Sequence, residues 1–278
     1  MQDAFAYCAE VVRGTDRDRY LATLFAPAES RGALHALYAF NSEVARVREA
    51  ARQPLPGEIR LQWWSDVLRG ERGEEAGANP VASALLAAVG QHQIAPAELI
   101  ELIDARRFDL YDEPMATVVD LETYARRTSS ILFALAAQIL SGSEAPAAAE
   151  PAGIAYAIVS LLRALPTHAA RHQLYVPMEV LERHHAQTDD LFAARTSAGL
   201  EAALADLRNL ARNHLATASE TMPQLPGAAL PAFLPVALVR PLLDRLERSD
   251  AFIPAEIPPW QRQWLIWRAA RNPARIAT

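Results

Sequence analysis

Apolar residues recur at helical spacing along almost the whole chain, and that periodicity restricts its fold more than any other property. In ESRGALHALYAFNSEVARVREA, Ala33, Leu37, Phe40, Val44 and Val47 follow steps of four and three, the pattern of one buried helical stripe. Ile154, Ile158, Leu161 and Leu165 repeat the pattern. No stretch alternates polar and apolar residues convincingly as a strand. Composition agrees: 56 of the 278 residues are alanine, the strongest helix former, against 11 glycines.

Prolines divide the chain, because proline suits a first helical turn and breaks an interior one. The pattern predicts a helix capped by Asp3 and reaching about Val12, a second over DRDRYLATLFA, and a long one opened by Pro27. Further helices are predicted over EIRLQWWSDVLRG, VASALLAAVGQH, PAELIELIDARRFDLY and residues 121–140 and 154–165. The last are 200–219, with TDDLF as its cap, then PAFLPVALVRPLLDRLERS and PPWQRQWLIWRAARN. GERGEEAGANP and SEAPAAAEPAG read as linkers; similar apolar helices flank the second, so it is not read as a domain boundary. The expectation is roughly ten helices in one all-α domain over residues 1–278.

Several function classes drop out. Cys8 alone makes neither a disulfide framework nor a cysteine zinc site. The start, MQDAFAYCAEVV, lacks the basic region and apolar core of a secretory signal. The longest apolar runs, such as ILFALAAQIL, fall well short of the roughly 20 residues a membrane-spanning helix needs. A net charge of −6 argues against binding nucleic acid through bulk charge. All 27 basic residues are arginine, a usage typical of GC-rich bacterial genomes. A cytoplasmic protein is expected. Phosphate-binding glycine loops, H-E-x-x-H and G-x-S-x-G are all missing. His168 and His172 stand at i, i+4, one face if the helix continues past Pro166, but two histidines without a third ligand are a weak metal motif. His184 and His185 are adjacent and would point to different faces.

Two segments carry a resemblance. ALYAFNSEVARVREA is similar to the first signature of the squalene/phytoene synthase family, a helix with Y-A-F-C-R and then D-D-x-x-D. GIAYAIVSLLRALPTHAARHQLYVPMEVL resembles the second, a glycine-led helix with N-I-x-R-D-x-x-x-D and then R-x-Y-x-P. LQWWSDVL, ARRFDLYDE around Asp109, and YARRTSSILFAL with Tyr124 add matches in the same order. The resemblance implies an all-α isoprenoid-synthase bundle with a central cavity. In that family the aspartates hold Mg²⁺, which neutralises the departing diphosphate; a hard cation of this kind needs carboxylate and phosphate oxygens.

The residues at those positions differ. The first acidic motif reads Ala45, Arg46, Val47, Arg48, Glu49, with one carboxylate; the second has Ala164 and His168 at its aspartate positions. Ser129 and Ser130 replace the small A-G pair of the tyrosine motif. APAESR, FNSEVARVRE, IRLQWW, LLRALP, YVPMEV and LPAFLPV resemble a branch of the family that includes a mitochondrial complex I assembly factor, the sixth, and its bacterial relatives. That branch implies a non-catalytic assembly or scaffold factor without a cofactor, peripheral to the inner membrane, whose partners are complex I subunits or assembly proteins.

Two other readings stay open: a prenyl-diphosphate transferase with a rebuilt Mg²⁺ site, and a lipid or isoprenoid-phosphate binder using the old cavity. For the latter, Asn41, Arg46, Arg48, Tyr124, Arg163 and Arg171 are candidate contacts, since guanidinium pairs with phosphate bidentately. The competing expectation is that these arginines pair with Glu43, Glu49 and other acids. Trp260, Trp264 and Trp267, with Arg262, Arg268, Arg271 and Arg275 nearby, are either a membrane or partner contact or a closure of the helical core. Trp63 and Trp64 are adjacent, so at most one should be deeply buried.

Overall fold

Eighteen α-helical segments and no strand occupy the residues described by the computed structural model, which are 2–51, 53–143 and 145–277. The first eight are α1 (Gln2–Thr15), α2 (Arg17–Thr23), α3 (Ala28–Ala45), α4 (Val47–Ala50), α5 (Pro54–Leu68), α6 (Gly73–Ala78), α7 (Pro80–His92) and α8 (Pro96–Arg106). Then come α9 (Val118–Ala125), α10 (Ile131–Ser141), α11 (Ala149–Arg163), α12 (Leu165–Ala170), α13 (Met178–Arg183) and α14 (Thr188–Phe192). The long α15 (Ala198–Thr221) precedes α16 (Leu230–Phe233), α17 (Val239–Arg248) and α18 (Pro259–Arg271).

The segments outnumber the roughly ten expected because several predicted helices are interrupted. The segment opened by Pro27 breaks at Arg46, whose φ of −97° and ψ of 6° leave the helical range, before α4 restarts. The segment predicted over 121–140 contains a π turn, Arg126–Ser130, between α9 and α10. The segment over 154–165 already ends at Ala164: Pro166 has no N–H to continue the ladder and instead sits in the first turn of α12. GERGEEAGANP contains α6, whose Glu74 and Glu75 favour a helix N-terminus. TDDLF forms α14 rather than a cap; Ser197 caps α15, accepting from the Leu200 N–H at 3.3 Å.

The chain divides into two compact units. Unit 1 comprises Met1–Tyr111, Ile131–Pro146 and Leu225–Pro235. Its central element is α3, buried not along one stripe but nearly all round, from Ala33 to Ser42 with Val44 beyond, under α1, α7 and α10. Trp64 is buried edge-on against Phe40, with ring centroids 5.0 Å apart. Its neighbour Trp63 is half-buried and donates from Nε1 to Glu75 at 2.8 Å.

Unit 2 comprises Asp112–Ser130, Ala147–Gln224 and Val236–Thr278, so one junction, Pro146 to Ala147, falls inside SEAPAAAEPAG. Its core helix is α11, which packs on α15, α17 and the π turn. Alanine and Gly153 on α11 allow that approach; the Ser130 hydroxyl donates to the Glu150 carbonyl at 2.8 Å across the contact. On α15 the buried residues Leu200, Ala203, Leu204, Leu207, Ala211, Leu215 and Ala218 do form a single helical stripe.

Runs of apolar residues predicted no spanning segment, yet the helical stretch Gly227–Arg248 has the length and composition of one. Small residues and sparse charges raise its mean hydropathy without a long apolar run. Its apolar window is 67% buried within the protein, as a core segment is.

Candidate functional site

In unit 1, the first resemblance segment runs along the end of α3 into α4. Asn41 is buried, and its Oδ1 has no hydrogen-bond partner. Ala45 is the last residue of α3, so the helical face expected to continue to Arg48 and Glu49 is kinked at Arg46. Arg46 is exposed and its Nε meets Glu49 Oε2 at 3.0 Å; Arg48 is half-buried. A surface cavity of about 580 Å³ opens beside these residues, lined among others by Ser42, Glu43, Arg46, Arg60 and Trp63. Burial raises the Glu43 carboxyl above its usual range, and nearby Arg60 pulls it partly back. In the cavity lining, Arg46 and Arg60 are therefore offset by Glu43 and Glu49.

A second buried polar group in unit 1 was not singled out from the sequence. Arg19 Nη1 contacts Asp16 Oδ2 at 2.6 Å, and the two side chains are 8% and 16% exposed. The guanidinium also lies over Tyr38 and Phe133, 5.4 and 5.9 Å from the ring centroids. Asp109, a family-matched position, is likewise buried and contacts Arg106 at 3.1 Å. D-R-D-R at 16–19 reads as a solvated charge run, and Arg17 is indeed exposed; the aromatic neighbours that cover Arg19 are distant in sequence.

Within the same unit His35 stacks on Tyr20 at 5.8 Å, and its Nε2 lacks a partner. Burial, with a smaller contribution from Arg31, pushes the imidazole down from 6.5 to about 4. Between those values the unfolded chain binds a proton that the folded chain refuses, so stability falls as pH drops from about 6.5 to about 4. The loss should reach about 3 kcal/mol at the acid end. Urea denaturation across that window should show a shallower decline in His35→Phe; parallel curves for the two proteins would refute the assignment.

In unit 2, the second segment spans α11, α12 and the turn after it. Arg163 is half-buried and donates from Nε to the Ala255 carbonyl at 3.3 Å. Ala164 lies at the break between the two helices, so Ala157, Ser160, Ala164 and His168 do not share one continuous helix. The His168 ring sits 4.5 Å from Tyr175, and Tyr175 lies 5.7 Å from Tyr124. Both tyrosines are buried. Arg171 is exposed. His172 lies beyond α12 with φ 55° and packs on Phe192 at 4.8 Å, so the i, i+4 face with His168 does not exist. His184 contacts Asp206 at 2.8 Å, and among the described residues no three or more His, Cys, Asp or Glu side chains gather as a metal site.

Also in unit 2, α18 turns Trp260, Trp264 and Trp267 outwards, while Leu265, Ile266 and Ala269 are buried. The tryptophans do not close the core.

The squalene/phytoene synthase family profile matches residues 12–268. A Rattus norvegicus protein, NADH dehydrogenase (ubiquinone) complex I, assembly factor 6, is 32% identical over 250 residues, covering 89% of this chain and 75% of its own. Phytoene synthase of Thermus thermophilus is 26% identical over 277 residues, 95% of this chain and 93% of that protein. The crystal structure of a dehydrosqualene synthase superposes with a TM-score of 0.85 at 18% identity, covering 97% of this chain and 96% of the other.

Proposed function

Because this chain belongs to the squalene/phytoene synthase family, we propose that it is a non-catalytic member, serving as an assembly or scaffold factor for respiratory complex I or a related membrane process. The observation carrying the first half is the Arg46–Glu49 ion pair at 3.0 Å, in the segment where the resemblance expects carboxylates. Similarity to the rat assembly factor supports the second half.

Prenyl condensation in this family depends on Mg²⁺ to stabilise the leaving diphosphate. Magnesium demands a near-octahedral set of oxygens, with carboxylates among them. Ala45 and Ala164 offer no side-chain oxygen, His168 offers nitrogen against an aromatic ring, and Glu49 is engaged by an arginine. Those residues do not fit the cation.

Incubating the purified chain with farnesyl or geranylgeranyl diphosphate and Mg²⁺ should release no diphosphate above the buffer control. Turnover would instead establish the transferase reading, which the match to the Thermus phytoene synthase favours. Deleting the gene in its host should reduce assembled NADH:quinone oxidoreductase on native gels. An unchanged complex would sink the assembly role.

The lipid-binding reading rests on the arginine-lined cavity of unit 1. Native mass spectrometry tests it: no co-purifying lipid and no uptake of added prenyl diphosphate would reject it.

A further inference from the structure

Helix α18 is anchored along one face and bare along the other. Leu265, Ile266 and Ala269 are buried, whereas Trp260, Trp264 and Trp267 are 71%, 48% and 49% exposed. At about 100° per residue, the three indoles and Arg271 share an arc of roughly 60°, opposite the anchoring residues. Ile253, in the turn before the helix, is also exposed.

Tryptophan is the largest apolar side chain, and a helix held only for packing would turn such residues inwards. Here the smaller Leu, Ile and Ala supply the packing, and the indoles remain for something outside this chain. The cationic groups identify its chemistry. The Arg268 guanidinium lies 4.7 Å from the Trp264 ring centroid and that of Arg271 lies 5.6 Å from Trp267. Among the described residues neither arginine has a carboxylate partner. The sequence carries no acid after Glu256, while Arg262, Arg268, Arg271 and Arg275 follow it. The overall charge is nonetheless −6, so the positive charge is concentrated at this end of the chain rather than general.

We propose that α18 docks the protein on an anionic lipid bilayer. Trp260, Trp264 and Trp267 occupy the interfacial layer, where an amphipathic ring is at its most favourable. Arg268 and Arg271 pair with lipid phosphates, and their stacking on the indoles keeps cation and ring at one depth. An aromatic row along the outer face of a helix matches a planar surface, where all three rings engage together. The docking rests on unit 2 alone and is independent of whether the assembly reading holds.

Flotation of the full chain with phosphatidylcholine/phosphatidylglycerol vesicles tests this, with pure phosphatidylcholine vesicles alongside. Binding is expected on the anionic vesicles and should weaken as salt is raised. The W260S/W264S/W267S variant should lose about tenfold or more of that affinity, because the apolar anchor is gone. The R268Q/R271Q variant should lose the preference for anionic over neutral vesicles. The indoles and Arg271 lie on the outer arc and Arg268 flanks it half-buried, so the melting curves of both variants should stay close to the parent, which separates lost docking from lost folding. No flotation of the parent chain, or equal flotation of the triple tryptophan variant, would overturn the proposal. So would saturable binding of an acidic protein to this face without vesicle binding.

Discussion

Replacing Gly153 by alanine should lower the melting temperature by about 5 °C, as expected for a loss of about 3 kcal/mol in a chain of this size. A Cβ at Gly153 would lie 2.5 Å from the Ser130 nitrogen and closer still to its Cα. Those are backbone atoms of the π turn and cannot swing aside as a side-chain tip can. Relief requires α11 to move away from Arg126–Ser130, which also stretches the Ser130 hydroxyl contact to the Glu150 carbonyl. Alanine's better helix propensity returns only about 1 kcal/mol. Gly90 on α7 is the control, because a Cβ there meets nothing within 4 Å. Gly90→Ala should be stabilising by about 0.5–1 kcal/mol. A Gly153→Ala protein that melts with the parent would show that the two segments do not press together as described.

The other large effect is expected at the Asp16–Arg19 pair. Arg19→Met keeps most of the volume over Tyr38 and Phe133 but strands a carboxylate that is only 16% exposed. Breaking a buried pair from one side costs about 3–5 kcal/mol, since the remaining charge stays desolvated. Asp16 also caps α2, accepting from the Arg19 backbone N–H at 3.1 Å, and that bond survives the substitution. Arg19→Met combined with Asp16→Asn removes both charges and preserves a capping oxygen. The double variant should regain more than half of the loss in urea denaturation. A single variant costing under about 1 kcal/mol would mean that solvent, not the protein, already screens the pair.

A helical period describes a helix that is buried along one face only. The stripe on α15 is readable residue by residue because its other face is solvated. The period failed on α3, where Ala33 to Val47 read as one stripe although neighbours cover the helix nearly all round. Off that stripe, Ser30, Ala36, Ala39 and Ser42 are small enough to be buried without announcing it, while Leu34, His35, Tyr38 and Asn41 are buried by neighbours remote in the chain. The interruption at Arg126–Ser130 had no local signal either. The turn packs on Gly153, more than twenty residues away, whose missing side chain leaves room for the Ser130 backbone.

The candidate site divides in the same way. The identities of Ala45, Arg46, Glu49, Ala164 and His168 could be read directly against the family's signatures. Whether their side chains share a face could not, because the breaks at Arg46 and Ala164 re-aim everything after them. His168 and His172 illustrate the error: correct spacing on paper, but a positive φ at His172 removes it from the helix.

The sequence alone determined the fold class, the family, the helix starts marked by proline, and the identity of the residues at the motif positions. All of these depend on composition, local spacing or residue-by-residue matching. Only the tertiary structure decided that Asp18 and Arg19 of D-R-D-R are buried, that Arg46 turns to Glu49, and that the tryptophans of α18 face away from their own unit. Hydrophobicity says that an indole avoids water; it does not say which surface provides the shelter. On α18 the smaller Leu265, Ile266 and Ala269 already fill the available core space, and that competition for contact is set by partners remote in the chain.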